Sequence, residues 1–326
     1  MRRRARGIVG VVLLVPLVGA AAWDARSSGT LSGARTGLTI IAPASPGGGW
    51  DGLARQLQAV MRETGVVTNP QVVNVPGAAG TIGLAQLAQM EGQDDVVMIT
   101  GTVMVGGVEI NDSPVGFDDV TPLARLTDDY EVLVVPADSP LQSVDDLVAA
   151  WQEDPGAVAV GGGSLGGTDQ LLAAQLALAV DVPATDVNYI AYSGGGEAVQ
   201  ALLSGASDVG ISGYNEFADQ IEAGTLRALA LSAPEPQPDL GVETLYELGY
   251  DVHQGNWRGL LAPPGLSDEA RAELEAIVEE TVATPEWAET VERNQWVDVT
   301  LVGEDFADFI DEEVARIQAI LEEAGL

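Results

Sequence analysis

Cysteine and lysine are both absent from this 326-residue chain, and all 14 basic residues are arginine. Without cysteine there is no disulfide, no thiol nucleophile and no thiolate metal site. His253 is the only histidine, which excludes zinc sites built from several histidines. We therefore expect no metal and no cofactor. Hydrophobic residues make up 46% of the chain, which is ample for a buried core.

Positive charge is scarce, since 14 basic residues stand against 49 acidic ones and the net charge is −35. Nucleic acid and anionic membrane surfaces repel such a chain, so we do not expect them as partners. No block of five like charges occurs. We interpret the acidity as a solvated surface rather than a cation-binding tract.

The amino terminus has the layout of a secretory signal peptide. Residues 1–23, MRRRARGIVGVVLLVPLVGAAAW, place four arginines before a short apolar run that ends in small residues. A membrane-spanning helix needs about 20 apolar residues, and this run is shorter and contains Pro16, so an uncleaved anchor is the less favoured alternative. We predict a signal peptide at 1–22, cleaved after Ala22, and a linker at 23–37. The protein would then be exported to the periplasmic or extracellular face of the cytoplasmic membrane.

Short apolar runs alternate with helical patterns from residue 38 almost to the end, which predicts parallel sheets with crossover helices. Leu53, Leu57, Val60 and Met61 share one helical face, and such a stripe is expected to face a core. The predicted strands are 38–43, 72–76, 94–100, 131–135, 157–161, 187–192, 208–212, 226–232 and 259–263.

Four segments repeat a local plan of strand, glycine-rich turn and helix. Glycine lets the main chain approach another molecule closely, and a helix start presents unpaired N–H groups with a partial positive charge. Such a helix start binds carboxylates or phosphates. The alternative is that the glycines only close tight turns. The segments are APASPGGGWDGLA (42–54), VPGAAGTIGLAQLA (75–88), VGGGSLGGTDQLLA (160–173) and YSGGGEAVQALL (192–203).

The third segment also matches two enzyme motifs. Residues 162–166 fit G-x-S-x-G, the nucleophile elbow with Ser164 as nucleophile, and Asp208 and His253 follow in the hydrolase order. Residues 161–166 fit G-x-G-x-x-G, the dinucleotide fingerprint. Both patterns arise easily in a run of glycines, and an exported protein seldom meets free dinucleotide. No pair of carboxylates has a spacing that indicates acid–base work, so we expect no catalytic residues.

Several segments together resemble one known family. PASPGGGWDGLARQL, VVNVPGAAGTIGLAQLA, GGGSLGGTDQLLAAQLA, the region from VNYIAYSGGGEAVQALL to LRALALSA, and GNWRGLLAPPGLSDE occur in that order. They resemble the substrate-binding proteins of tripartite tricarboxylate transporters, the TctC or Bug type, over residues 38–326. Several independent motifs in the right order make the resemblance specific for the family, but they do not identify a ligand.

The resemblance implies an α/β fold of the type II periplasmic-binding-protein kind, in which two α/β lobes joined by a hinge close on a ligand in the cleft between them. Lobe 1 would comprise residues 38–126 plus 232–326, and lobe 2 would comprise residues 127–231. The hinge would run through LARLTDDYEV and LRALALS.

The resemblance also implies a set of ligand-binding residues. The first two glycine loops would hold a carboxylate through main-chain N–H groups and ordered water, and lobe 2 would close over the remainder of the ligand. In lobe 1 the implied residues are Ser45, Gly47, Gly48, Gly49, Trp50, Gly77, Ala78, Ala79, Gly80, Thr81, Thr100, Thr102 and Arg258. In lobe 2 they are Ser164, Gly166, Gly167, Thr168, Tyr192, Ser193, Gly194 and, more weakly, Tyr214 with Asn215.

Four of the residues in these motifs leave alternatives open. Asp51 and Asp169 occupy matching places at two helix starts, where an acid stabilises the helix but would repel a bound anion if it pointed inward. We expect Asp51 to face away; an acid inside the pocket would instead imply a ligand hydroxyl or ammonium. Trp50 either lines the cleft or packs on the sheet edge. Arg258 either binds a ligand carboxylate or forms a structural salt bridge.

We therefore expect a non-enzymatic, monomeric solute-binding protein that captures a small carboxylate, citrate-like by family. It would deliver this tri- or dicarboxylate to the integral-membrane permease components of a tripartite tricarboxylate transporter. The alternative from another class is a secreted serine hydrolase that uses Ser164.

Overall fold

The structure is a computed structural model that describes residues 33–192 and 195–326. Within these ranges the chain forms eleven β-strands and ten α-helices, with several short 3-10 turns. The strands build two separate sheets, one of six strands and one of five. The predicted signal peptide and most of the predicted linker lie outside the described residues.

The first sheet combines strands from both ends of the chain. It contains β1 (Thr39–Ala42), β2 (Gln71–Asn74), β3 (Val96–Gly101), β4 (Thr121–Asp128), β10 (Arg258–Ala262) and β11 (Val297–Val302). Their order is β11-β4-β10-β3-β1-β2. β1 runs parallel to β2 and β3, whereas β10 is antiparallel to both β3 and β4. Arg258, the first residue of β10, therefore lies opposite Gly101, the last residue of β3.

The second sheet is built from the middle of the chain. It contains β5 (Glu131–Pro136), β6 (Ala159–Gly162), β7 (Asn188–Ala191), β8 (Val209–Gly213) and β9 (Leu226–Leu231). Their order is β7-β6-β8-β5-β9. β6 runs parallel to β7 and β8, so the carboxyl ends of these three strands lie at one edge. β5 is antiparallel to β8 and β9.

Both sheets are thus mixed, and the prediction of parallel sheets is correct only for part of each. Nine strands lie where the apolar runs predicted them, but β4 and β11 were not predicted as strands. The LARLTD part of β4 falls in the segment that the sequence assigns to the hinge. β11 (VDVTLV) alternates apolar and polar residues but is missed by the prediction; it lies at the sheet edge and has no buried residue. The pairing of β4 and β11 with distant segments depends on tertiary packing, which their own sequence does not specify.

The helices cover the sheets with apolar faces. They are α1 (Gly49–Thr64), α2 (Thr81–Leu87), α3 (Thr102–Ile110), α4 (Val144–Glu153), α5 (Thr168–Ala179), α6 (Gly195–Ser204), α7 (Tyr214–Glu222), α8 (Asp268–Val282), α9 (Pro285–Arg293) and α10 (Glu304–Ala324). Leu53, Leu57, Val60 and Met61 of α1 are buried as predicted. Each fully buried aliphatic side chain of this kind contributes about 1.5–3 kcal/mol.

Helix caps differ between positions in the fold. Ser143, Ser267 and Thr284 cap α4, α8 and α9 through side-chain hydrogen bonds, which satisfy N–H groups of the first turn. In contrast, α1, α2 and α5 begin after glycines and have no side-chain cap. These three helices follow the glycine-rich turns singled out by the sequence.

The buried residues form separate cores for the two sheets. The larger core includes Trp257, Trp287 and Phe306 around the first sheet, while Trp151 and Phe217 lie in the two cores that cover the faces of the second. Among the described residues, no helix combines the length and apolar composition that crossing a membrane requires.

Candidate functional site

A cleft of about 800 Å³ opens where the two sheets face each other. The first sheet contributes the loops after β1 and β2 together with Arg258 at the start of β10. The second sheet contributes the turn after β6 and the ends of β7 and β8. The site thus lies at the carboxyl ends of parallel strands, which is where open α/β sheets bind ligands.

The Asp51 side chain stabilises the loop after β1 from the side that faces away from the cleft. Its carboxylate accepts hydrogen bonds from the Gly47 main-chain N–H and from the Asn74 amide, each at 2.8 Å, and from Arg55. Burial alone would raise the pKa of Asp51, but these hydrogen bonds outweigh it and hold the pKa below its ordinary value. Asp51 is buried and does not line the cleft, as expected, so its charge stabilises the loop rather than facing a ligand.

An arginine meets the start of α1 in the cleft wall. A Cβ atom added at Gly49 would lie only 3.1 Å from Nη2 of Arg258, so a side chain here would crowd the guanidinium where it approaches the helix. Arg258 also donates to Asp129 at 2.6 Å, and both side chains are more than nine-tenths buried. It therefore forms a structural salt bridge and lines the cleft as well. The helix start and the guanidinium together place positive potential on this wall.

For Trp50 the sequence left two alternatives open, lining the cleft or packing on the sheet, and the structure shows both. It lines the cleft, and it belongs to the buried core of the first sheet. Its ring lies so close to Gly80 that a Cβ there would come within 2.7 Å.

The loop after β2 is backbone-strained where it lines the cleft. Gly77, Ala78, Ala79 and Gly80 all have positive φ, at 131°, 49°, 51° and 92°. Positive φ costs a non-glycine residue of order 1 kcal/mol or more, and such strain concentrates at binding sites.

The turn after β6 is organised like the loop after β1. Asp169 accepts the N–H of Gly163, and Gln170 accepts that of Gly166. Gly162 and Gly163 leave room for Asp169, since a Cβ at these positions would lie 2.8 Å and 3.0 Å from its atoms. Unlike Asp51, however, Asp169 lines the cleft.

The wall formed by the second sheet is acidic. Asp169, Glu197 and Glu216 all line the cleft. Burial raises the pKa of Asp169 to about 7, although the Gly163 N–H opposes the shift. Glu131 lies behind Asp169, fully buried, and burial together with the neighbouring carboxylates raises its pKa well above the ordinary value.

The predicted site residues divide into three groups. Lining the cleft are Ser45, Gly48, Gly49, Trp50, Gly77, Ala78, Ala79, Gly80, Ser164, Tyr192 and Arg258. Not lining it are Gly47, Thr81, Thr100, Thr102, Gly166, Gly167, Thr168, Tyr214 and Asn215. Ser193 and Gly194 lie outside the described residues. Whether any of them contacts a ligand stays a prediction.

The threonines outside the cleft serve local structure. Thr100 and Thr102 are fully buried, and the Thr102 hydroxyl donates to the Gly255 carbonyl at 3.3 Å. Thr81 donates to the Ala78 carbonyl, which supports the strained loop. Thr168 bonds to Asn256 at 3.4 Å across the two sheets.

Sequence reasoning did not select several cleft residues. Asn256 stands two residues before Arg258, and Ser212 and Gly213 directly precede Tyr214, so the neighbouring candidate residues could have pointed to them. Glu197 lies in the first turn of α6. An acid at this position is common because it stabilises the helix, so it gives no sign of a binding site. Only tertiary packing shows that it faces the cleft.

The hydrolase arrangement is not formed. Asp208 is exposed and accepts the N–H of Ala159, the first residue of β6, whereas Ser164 follows the last residue of that strand. The two therefore lie at opposite ends of β6. His253 is exposed and its ring lies 5.8 Å from that of Tyr246. No group of three or more His, Asp or Glu side chains in the described ranges is arranged to hold a metal ion.

Comparison with known proteins gives a family and a fold. A family model described as "Tripartite tricarboxylate transporter family receptor" matches residues 53–326. Protein BugT of Bordetella pertussis is 27% identical over 295 residues, which cover 88% of this chain and 89% of BugT.

Two solved structures are also similar. A TctC solute-binding protein from Polaromonas, without ligand, is 26% identical with a TM-score of 0.68, covering 88% of this chain and 98% of that one. MatC from Rhodopseudomonas palustris with bound malate is 22% identical with a TM-score of 0.75, covering 88% and 99%. They confirm the predicted α/β periplasmic-binding-protein fold. Since the family model spans most of the sequence, the chain belongs to the tripartite tricarboxylate transporter receptor family, a family of solute-binding proteins.

Proposed function

We propose that this protein captures a small carboxylate outside the cytoplasm and delivers it to the permease components of a tripartite transporter. The observation that carries the proposal is the meeting of Arg258 with the uncapped start of α1 at Gly49 in the cleft wall. A guanidinium beside free helix N–H groups is a strong anion site, because it combines charge with directed donors. The malate bound to the related MatC agrees with this ligand class.

We further propose that residues 38–126 plus 232–326 and residues 127–231 act as two lobes that close on the ligand. Support comes from the two sheets with separate cores and from the short connections between them, such as Asp129 and Tyr130 between β4 and β5. Closure would be driven by contacts made only in the bound form. We propose that the protein acts in this capture as a monomer, and that segment 1–22 directs its export. The segment would then be either cleaved or retained as an anchor.

The first experiment is a thermal-shift screen of the mature protein against acetate, succinate, malate, adipate and citrate. A ligand at 100 times its dissociation constant adds about 2.7 kcal/mol of stability. We expect at least one of these acids to raise Tm clearly. If none does at millimolar concentration, the proposal is wrong.

Two alanine variants test the wall of the cleft. Gly49→Ala places a Cβ at 3.1 Å from Arg258, whereas Gly52→Ala, one turn along the same helix, meets nothing within 4 Å. We expect Gly49→Ala to weaken binding of the acid found in the screen at least about tenfold, and Gly52→Ala to leave the affinity unchanged. Equal effects of both variants would argue against an anion site at Gly49.

A further inference from the structure

Two buried carboxyls, Asp169 and Glu131, lie together at the wall that the second sheet contributes to the cleft. Asp169 lines the cleft and is 8% exposed, whereas Glu131 has no exposed surface. Among the described residues, no N–H or hydroxyl group donates to either side-chain oxygen of Glu131. Its hydrogen-bond neighbour is the carboxyl of Asp169. Two carboxyls form a hydrogen bond only when one of them is protonated, so the pair shares a proton.

The groups that face this pair are mostly negative or neutral. Glu216 on α7 and Asp129 in the connection between β4 and β5 both act on Asp169 with a negative charge. Tyr189 on β7 lies beside the pair, but its hydroxyl donates to the Gly163 carbonyl at 3.0 Å. The main-chain N–H of Gly163 is the donor that Asp169 accepts. The proton that the two carboxyls share is therefore their main relief from mutual repulsion.

An ionic network joins the pair to the proposed anion site. Arg258, which meets the start of α1 at Gly49, donates to Asp129 at 2.6 Å. The charge of Asp129 acts in turn on both Asp169 and Glu131. A carboxylate that arrives at Arg258 adds a negative charge to this buried network, where water and salt screen weakly. A second proton on the pair would remove one negative charge from the wall that faces the ligand.

We propose that the protein takes up a proton together with its carboxylate ligand, and that the pair of Asp169 and Glu131 binds this proton. The free protein holds one proton on the pair, and the ligand-bound protein holds two. The second proton comes from solvent and no covalent bond of the ligand changes. This inference rests on the proposed carboxylate capture and adds its regulation by pH.

The linkage has a definite sign. A bound anion raises the pKa of Asp169, so the bound protein holds more protons than the free protein and affinity increases as the pH falls. Burial places the pKa of Asp169 at about 7 in the free protein. Well below that pH the pair is doubly protonated in both states, and the dissociation constant should not change with pH. Above it the dissociation constant should rise with pH, by at most about tenfold per unit for one proton.

Isothermal titration calorimetry of the wild-type protein counts the protons directly. The apparent binding enthalpy is measured at pH 8 in Tris and in HEPES, which differ in ionisation enthalpy, and the difference gives the protons taken up per ligand. The probe is each acid that binds among acetate, succinate, malate, adipate and citrate. The carboxyls of these acids are ionised at pH 8, so a proton taken up belongs to the protein. We expect uptake of up to one proton and a dissociation constant that rises from pH 7 to pH 8.5.

Asp169→Asn and Glu197→Gln form a matched pair of variants. Both remove a carboxyl from the same wall of the cleft, but Asp169 is buried against Glu131 whereas Glu197 is exposed. Asp169→Asn is expected to abolish the proton uptake and to make the dissociation constant independent of pH. Glu197→Gln is expected to keep the proton uptake. Melting curves of the free variants show whether each one is folded, and the wild-type proton count tests the inference without any variant.

The outcomes separate the inference from the proposed function. Binding without proton uptake, with the same dissociation constant at pH 7 and pH 8.5, overturns the inference and leaves carboxylate capture standing. Uptake that persists in Asp169→Asn also contradicts the inference, because it places the proton on another group, such as Asp128, the partner of Arg125. Uptake that disappears in Glu197→Gln would place the proton on the exposed part of the wall and is equally contrary. If no acid binds, the proposed function fails and the inference fails with it.

Discussion

Arg258, which lines the cleft, forms an ion pair of 2.6 Å with Asp129, and the two side chains are 7% and 8% exposed. They join the start of β10 in the first sheet to the connection that leads into the second. A buried pair of this kind gives little net stability, but the loss of one partner leaves an uncompensated charge. The pair therefore makes this wall of the cleft sensitive to substitution.

We expect Arg258→Gln to lower the free energy of unfolding by about 3–5 kcal/mol, because Asp129 is left buried without its cation. Urea unfolding monitored by circular dichroism measures this. Arg55→Gln is the control: Arg55 is 51% exposed in its ion pair with Asp51, so its loss should lower the free energy of unfolding much less than Arg258→Gln does. Similar losses in the two variants would contradict the importance of burial here.

We expect Gly106→Ala to disturb the contact between α3 and the turn after β6. A Cβ at Gly106 would lie 1.8 Å from the carbonyl oxygen of Gly166, so the two segments must separate. An alanine in a helix otherwise gains up to about 1 kcal/mol over glycine, as Gly52→Ala should. X-ray scattering should show a more open protein for Gly106→Ala, with weaker ligand binding. A variant that is simply more stable, with unchanged scattering, would show that the contact is dispensable.

The buried carboxyls predict how stability depends on pH. Burial raises the pKa values of Asp128 and Asp169 to about 7, and burial together with the charge of Asp169 raises the pKa of Glu131 well above its ordinary value. A carboxyl with a higher pKa in the folded than in the unfolded chain binds more protons when folded, so stability falls as the pH rises. We therefore expect the free energy of unfolding to decrease from pH 5 to pH 8.

Glu131→Gln isolates one part of this pH dependence, because glutamine cannot lose a proton. Over the range in which Glu131 is protonated only in the folded state, the slope should become smaller by on the order of 1 kcal/mol per pH unit. Glu153→Gln, at an exposed position, should leave the slope nearly unchanged. Urea titrations at pH 5, 6, 7 and 8 measure both. An unchanged slope in Glu131→Gln would mean that Glu131 is ionised in the folded protein.

Ser164 is expected to be chemically unreactive, because Asp208 lies at the opposite end of β6. Incubation with a fluorophosphonate probe should give no labelled protein, and Ser164→Ala should reduce ligand affinity at most slightly. Covalent labelling that disappears in Ser164→Ala would revive the serine hydrolase alternative.

Much of this architecture could be read from local patterns. The apolar stripe of Leu53 and Leu57 predicts a helix that packs on a sheet, because a 3.6-residue period puts these side chains on one face. The glycines before α1 and α5 mark turns where backbone approaches closely. By contrast, β4 and β11 pair with segments far away in the chain, and nothing in their own sequence specifies that pairing.

Asp51 and Asp169 show where the sequence by itself stops. The sequence determined that both aspartates follow a glycine-rich turn at the start of a helix. It also determined that each carboxylate accepts an N–H from that turn, because these hydrogen bonds join residues only four and six positions apart. Only the tertiary structure decided that Asp51 faces Asn74 behind the loop while Asp169 faces the cleft with Glu131 behind it. The physical reason is that those partners lie 23 and 38 residues away in the chain, so their positions depend on sheet packing rather than on local backbone geometry.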